Sequence, residues 1–193
     1  WYRLDIGVRP SSTQSIIDEM KELIDRFHVN YIAFDDELLM SSVARTKEIA
    51  QAIIDNKLNI KFWCEGRLNY ACKDIDMLRL LKEAGCVFIN YGIESMDDGA
   101  LERMHKNLKT DMIIAGIENT LKAGISPGLN IIFGNLDEDM ETLKKDVDFL
   151  LKYDDGAQIR TIRPVTPYPG TELYQIAIER GLLKNIGDFY ENK

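Results

Sequence analysis

Cysteine is sparse in this sequence. Three cysteines, Cys64, Cys72 and Cys86, occur among 193 residues, and an odd, sparse set does not predict a disulfide scaffold. They lie eight and fourteen residues apart, which matches neither a zinc pair nor a compact iron–sulfur run. We interpret them as reduced, structural thiols, because a free cysteine is most often a small core residue.

Long apolar runs and basic runs are also missing. No apolar stretch is long enough to cross a bilayer, and the first residues do not form a signal peptide. The chain carries 24 basic and 32 acidic residues, a net charge of -8, so it has no general attraction for nucleic acid or anionic lipid. These absences predict a cytoplasmic, soluble protein that binds neither a membrane nor nucleic acid.

What the chain does have is a repeated helical pattern. Apolar residues make up 45% of it, enough for the core of one domain over residues 1–193. A capping box at Ser11 and Gln14 is predicted to open the first helix, and Asp74 and Gly85 are predicted to begin and end the third. Apolar faces with helical spacing occur at 16–27, 49–54, 75–81, 112–121, 140–151 and 173–180.

Short runs rich in β-branched and aromatic residues separate these helices and predict strands. They are YIAF at 31, IKFWC at 60, VFINYGI at 87, LNIIFG at 129 and IRTIRPV at 159. Strand and helix alternate about every thirty residues, as in βαβ units, which favours a parallel sheet. An open doubly wound sheet remains possible, but no G-x-G-x-x-G follows a strand. We predict an α/β fold: a partial (β/α) TIM-like barrel of about five strands with outer helices.

Polar residues cluster just after the predicted strands, where barrels carry their chemistry. They are Asp35, Asp36, Glu37, Glu65, Arg67, Glu94, Ser95, Asn135, Arg163 and Thr166. The acids at 35–37 repel one another and need a positive or hydrogen-bond-donating partner. Structural roles are also possible. The acids could cap a helix, Glu94 and Ser95 could cap the helix that begins near 96–98, and Arg67 could form an ion pair.

Three phrases carry a resemblance to a known family: IAFDDELL; an Arg after one strand with GIES after the next; and LNIIFGNLDEDMETL followed by RPVTPYPGTELY. In this order they resemble the radical S-adenosylmethionine (SAM) enzymes, over about residues 8–183. The branch in which a cobalamin-binding domain often precedes the radical core, with its methylthiotransferase relatives, is the most similar. This sequence departs from the commoner Gly-Gly-Glu form of the acidic motif.

The resemblance implies a SAM-binding site at the strand ends. Residues implied to bind the cofactor are Asp35, Asp36 and Glu37 at the methionine amino group, Glu94 and Ser95 at the ribose or carboxylate, and Asn130, Asn135 and Arg163 on the adenine side. Residues implied to bind substrate are Arg67, Thr166 and Tyr168. The resemblance further implies a [4Fe–4S] cluster and a 5′-deoxyadenosyl radical, and it leaves cobalamin in an upstream domain as a possibility.

The cluster motif of that family, C-x-x-x-C-x-x-C, does not occur in this sequence. We therefore predict a fragment whose first strand and cluster loop belong to an upstream segment of the same protein. Alone it would bind a small-molecule ligand but be inactive, as part of an iron–sulfur oxidoreductase-like enzyme. Two alternatives stay open: a non-catalytic nucleotide- or SAM-binding barrel module, and an acid/base enzyme in which Asp35, Asp36 and Glu94 hold Mg²⁺.

Overall fold

Helices and strands alternate along the chain, as the sequence predicts. The computed structural model describes residues 10–35, 39–154, 156 and 161–191. Its strands are β1 (Tyr31–Phe34), β2 (Lys61–Gly66), β3 (Cys86–Glu94), β4 (Ser126–Phe133) and β5 (Ile162–Pro164). Its helices are α1 (Thr13–Phe27), α2 (Val43–Asp55), α3 (Leu68–Ala71), α4 (Ile75–Glu83), α5 (Asp98–Arg103), α6 (Thr110–Lys122), α7 (Met140–Lys152), α8 (Glu172–Glu179) and α9 (Ile186–Glu191).

The five strands form one parallel sheet in the order β1-β2-β3-β4-β5. Each strand pairs with the next one along the chain, so every connection returns through helical segments, as parallel pairing requires. The sheet curls into a half-barrel with flanking helices, and the predicted partial TIM-like barrel is confirmed. All the strands end at the same edge, which we call the mouth.

The two faces of the sheet differ in burial, and β3 illustrates the difference. Ile89, Tyr91 and Ile93 are fully buried against the helices, whereas the alternate residues Asn90 and Glu94 are only half-buried on the other side. We call the helix-covered side the outer face and the opposite side the inner face. The core therefore lies between the outer face and the helices, and the inner face is left for polar chemistry.

Helix ends follow local capping rules. Asp74 accepts a hydrogen bond from the Met77 amide, which confirms the predicted N-cap of α4, and Thr171 caps α8 in the same way by accepting from the Tyr174 amide. At α1 the N-cap is Ser12 rather than the predicted Ser11. The sequence pattern did not predict α3 or α9, because helices of four and six residues are too short to show a periodic apolar face.

No helix within the described part of the chain is long and apolar enough to cross a membrane.

Candidate functional site at the mouth of the half-barrel

A row of polar side chains crosses the inner face from β2 to β4. Asn90 Nδ2 donates to the Glu65 carboxylate at 2.9 and 3.1 Å, and Asn130 Nδ2 donates to Asn90 Oδ1 at 3.0 Å. The strand register explains the row, because Glu65 lies opposite Asn90 and Asn90 opposite Gly128. A Cβ at position 128 would stand 2.4 Å from Asn90 Oδ1, so only glycine leaves room there. We call Glu65, Asn90 and Asn130 the polar row.

The polar row ends in a hydrogen-bond acceptor that is unpaired among the described residues. Asn130 Oδ1 is buried and has no hydrogen-bond partner among the described residues. A buried acceptor without a partner costs free energy, which a ligand N–H or O–H, or an ordered water, can recover. The polar row therefore has the chemistry of a binding surface for a ligand that donates hydrogen bonds.

An ion pair stands nearer the mouth on the same face. Lys106 Nζ lies 2.6 Å from Glu94 Oε1, and the two side chains are only 29% and 18% exposed. A Cβ at Gly92 would lie 2.6 Å from Glu94 Oε1 and 3.0 Å from Lys106 Nζ, so the pair rests directly over the Gly92 backbone. Glu94 itself has a left-handed backbone conformation, with φ at 69°, which residues other than glycine seldom adopt.

Two of these groups, Glu65 of the polar row and Lys106 of the ion pair, line an open cleft of about 390 Å³, which we call the mouth cleft. Its lining consists of Glu65, Gly66, Arg67, Leu68, Asn69, Gly92 and residues 104–108. Arg67 and Lys106 bring positive charge and Glu65 brings negative charge to one small volume. Such a cleft suits a ligand that carries both charges, because each end of the ligand finds a group of opposite sign.

Two predicted site residues, Arg67 and Glu94, lie at this cleft, and two others share the inner face with it. Arg67 lines it, and Glu94 pairs with the lining residue Lys106. Asn130 ends the polar row, and Arg163 lies opposite Ile132 in the register, which places it on the same face as Asn130. Asp35 is exposed at the end of β1. The other predicted acids, Asp36 and Glu37, lie outside the described residues.

The remaining predicted residues point elsewhere. The Ser95 hydroxyl is fully buried and donates to Asp146 Oδ1 at 3.3 Å. Asn135 donates to the Ile132 carbonyl at 2.7 Å and closes its own loop. Thr166 donates to the Pro164 carbonyl at 3.5 Å, and the Tyr168 ring lies 5.7 Å from that of Phe189. The ligand roles of these four residues stay predictions, and the polar row does not include them.

Three residues of this site were not predicted as ligand-binding residues: Glu65, Asn90 and Lys106. A signal for Asn90 exists, because it is the one amide in the apolar run VFINYGI and alternation puts it opposite Ile89 and Tyr91. Lys106 is the lysine that follows the GIES motif along the chain, but its position in sequence does not show that it contacts Glu94. It meets Glu94 because the segment after α5 returns to the end of β3.

Comparison with known proteins agrees with this architecture. The family model of the radical SAM superfamily matches residues 7–150. The chain belongs to the radical SAM superfamily. An uncharacterized methyltransferase of Pyrococcus horikoshii is 30% identical over 91% of this chain and 37% of its own length. The hopanoid C-3 methylase of Methylococcus capsulatus is 23% identical over 89% of this chain and 32% of its own length.

Solved structures of this superfamily share the fold. The radical SAM methyltransferase TsrM from Kitasatospora setae, solved with cobalamin and a [4Fe–4S] cluster, has a TM-score of 0.66 at 19% identity, covering 78% of this chain and 29% of its own. The cobalamin-dependent radical SAM enzyme OxsB has a TM-score of 0.65 at 20% identity, covering 95% and 27%. The chain thus spans about a third of the length of the curated relatives above.

The cysteines of this radical SAM chain do not fit an iron–sulfur cluster. Cys64 and Cys86 are buried beside each other, and this contact together with burial raises the pKa of the Cys64 thiol. Cys72 lies at the end of α3, where its thiol donates to the Asn69 carbonyl. Within the described ranges no three His, Cys, Asp or Glu side chains are placed to hold a metal ion. A cluster needs clustered thiolates, and these three do not supply them.

Proposed function

We propose that this chain is the SAM-binding wall of a radical SAM methyltransferase, and that SAM occupies the mouth cleft and the polar row. The observation that carries the proposal is the Glu94–Lys106 pair beside the unpartnered acceptor of Asn130. SAM carries an amino acid group with both charges, two ribose hydroxyls and an adenine amine. Its charges match the ion pair, and its hydroxyls and amine can donate to Asn130 Oδ1.

The roles of the residues follow from their chemistry. Lys106 and Arg67 would attract the carboxylate of the ligand, while Glu94 and the acids at 35–37 would attract its ammonium group. Asn90 and Asn130 would bind the nucleoside, and Arg163 would border the same face. Bound SAM supplies an activated methyl group or, with a reductant, an adenosyl radical. The contribution of the chain is to bind and orient SAM and to limit the access of water.

Methyl transfer is a better proposal than the oxidoreductase-like activity expected from sequence. Relatives from Pyrococcus horikoshii and Methylococcus capsulatus are named as a methyltransferase and a methylase, and TsrM is named as a methyltransferase. TsrM and OxsB are both described with cobalamin. We infer that the complete enzyme uses a [4Fe–4S] cluster and cobalamin, held by residues other than those described in this chain.

Calorimetric titration of the full chain with SAM tests the proposal. We expect saturable binding that Glu94→Gln weakens about tenfold, the equivalent of one lost charge-assisted contact. Glu102→Gln is the matched control, because Glu102 is an exposed glutamate on α5 nearby, and it should bind SAM as the wild type does. No saturable heat with SAM, or equal affinities for the three proteins, would contradict the proposal.

The same titration with MgCl₂ decides the acid/base alternative. Glu94 is already neutralised by Lys106, and no described group of three acidic, His or Cys side chains converges on one point. We therefore expect SAM binding without saturable Mg²⁺ binding. A chain that binds Mg²⁺ but not SAM would favour the alternative. The non-catalytic barrel module would share the SAM binding and differ only in lacking turnover in the complete protein.

A further inference from the structure

A buried carboxylate lies behind the site, on α7. Asp146 is 2% exposed. Its Oδ1 accepts hydrogen bonds from the Met96 amide and the Ser95 hydroxyl, and its Oδ2 is buried without a hydrogen-bond partner in the described part of the chain. Burial raises the pKa of this carboxyl to about 6. Burial of a carboxylate with an unpaired oxygen costs free energy, so we expect Asp146 to have a role that offsets this cost. None of the SAM-binding roles above involves it.

The neighbouring residue of α7 holds the same turn from outside. Lys145 Nζ lies 2.9 Å from Asp97 Oδ2, and the other oxygen of Asp97 accepts the Ala100 amide at 3.0 Å, which caps α5. Two consecutive residues of α7 thus hold three consecutive residues of the turn 95–97. We call this set of contacts the α7 clamp.

The clamped turn lies between the two members of the site ion pair. Glu94 precedes it directly and has the left-handed backbone. On the other side the chain runs through α5 to Lys106, and two hydrogen bonds join its end to the helix: the Met104 amide donates to the Ala100 carbonyl at 3.0 Å, and the Lys106 amide donates to the Leu101 carbonyl at 3.0 Å. Anchoring the turn therefore fixes both the strand end that carries Glu94 and the helix that delivers Lys106.

We propose that Asp146 is a positioning residue, which through the α7 clamp brings Glu94 and Lys106 together at the mouth cleft. It touches neither member of the pair and acts through the turn 95–97. Glu94 keeps its left-handed conformation because strand pairing holds the residues before it and the α7 clamp holds the residues after it. Only the ligand readout of the following test rests on the proposed SAM function.

Hydrogen exchange of backbone amides in the full chain tests the clamp without any ligand. Asp146→Ala should accelerate exchange at least about tenfold at Met96, and also at Met104 and Lys106, because the turn and α5 open together. Asp148→Ala is the matched control: the same change, on the same helix, at an exposed position. It should leave these amides unchanged. Asp146→Asn keeps an acceptor at Oδ1 and should restore most of the protection.

SAM titration adds the second readout. We expect Asp146→Ala to weaken SAM affinity about tenfold and Asp146→Asn to retain it. Faster exchange confined to Met96, with Lys106 and SAM affinity unchanged, would overturn the positioning role. A wild-type chain that binds no SAM would refute the proposed function, while the exchange comparison would still decide the clamp.

A second variant covers the case in which Asp146→Ala does not fold. Lys145→Ala removes the other arm of the clamp at a half-exposed position, where the loss of one ion pair is tolerated. It should accelerate exchange at Ala100 and Lys106 by a smaller factor. Exchange at both amides equal to that of the wild type would also overturn the proposal.

Discussion

The ammonium group of Lys106 lies 2.6 Å from the Glu94 carboxylate, and the pair rests over the bare Cα of Gly92. The residues lie twelve positions apart in sequence, at opposite ends of a turn and a short helix. Their meeting creates the charged end of the mouth cleft. Four predictions follow from this arrangement and from the residues around it.

Gly92→Ala should disturb the ion pair. The new Cβ would stand 2.6 Å from Glu94 Oε1, and because that atom ends a flexible side chain, the pair should move rather than the strand. We expect a loss of about 1 kcal/mol in the free energy of unfolding and weaker SAM binding. Urea unfolding and calorimetry measure the two effects.

A double-mutant cycle isolates the cause of that loss. In a Glu94→Ala background the clashing oxygen is gone, so Gly92→Ala should cost less than it does in the wild type. Equal costs in the two backgrounds would show that the added methyl group acts through the backbone and not through the pair.

Asn90→Ala should destabilise the chain through the polar row. It removes the donor to Glu65 and the acceptor of Asn130 Nδ2, leaving half-buried polar groups unpaired. We expect a loss of about 1–3 kcal/mol in the free energy of unfolding by urea. Asn56→Ala is the control, because Asn56 is exposed and its side chain donates to the Ala52 carbonyl of its own helix; a loss as large as that of Asn90→Ala would contradict the prediction.

Asp146 should make stability depend on pH between about 4 and 6. Burial raises the pKa of its carboxyl from 3.8 to about 6, so over that range the folded state binds a proton that the unfolded state has lost. Its contribution to the free energy of unfolding therefore rises as pH falls through 6, by up to about 3 kcal/mol. The hydrogen bonds from the Met96 amide and the Ser95 hydroxyl oppose the rise in the pKa, whereas the negative charges of Glu138 and Asp97 add to it.

The comparison of wild type with Asp146→Asn from pH 4 to pH 8 measures this contribution. The mutant lacks the titrating group, so its stability relative to the wild type should be greatest above pH 6 and should decline towards pH 4. Asp74 and Asp97 do not interfere, because hydrogen bonds and ion pairs with Lys47 and Lys145 lower the pKa of each carboxyl below its usual value. Parallel stability curves for the two proteins would contradict the burial of an ionised Asp146.

Thiol labelling tests the placement of the cysteines. Cys64 of β2 and Cys86 of β3 are fully buried, whereas Cys72 is partly exposed. Burial and contact with Cys86 raise the pKa of Cys64, which lowers its reactivity further. Brief alkylation of the native chain followed by mass spectrometry should modify Cys72 alone, and all three after unfolding in urea. Modification of Cys64 in the native chain would contradict this fold.

The fold was predictable from sequence because its signals are local and periodic. The run VFINYGI and the face from Met112 to Leu121 carry periods of two and about three and a half residues, which report strand and helix directly. Asp74 and Thr171 cap the predicted helices because an N-cap needs only the amides a few residues ahead. At α1 the hydroxyl of Ser12 takes the place of that of Ser11 as N-cap, and Gln14 bonds Asp18 instead of closing the predicted capping box.

The site was predictable only in outline. Parallel strands bring their ends to one edge, so the sequence alone indicated that Arg67, Glu94 and Asn130 lie near the mouth. It could not indicate that Ser95 turns inward to Asp146, since their contact joins residues 51 positions apart.

Sequence by itself determined the alternation of strands and helices, the polar mouth and the family, because these depend on short-range periodicity and on motifs read along the chain. Only the tertiary structure decided which polar residues meet. The polar row depends on strand register, the Glu94–Lys106 pair on the return of the segment after α5 to the end of β3, and the α7 clamp on helix packing. Each contact joins residues far apart in sequence, and packing of the folded chain, rather than local preference, sets such distances.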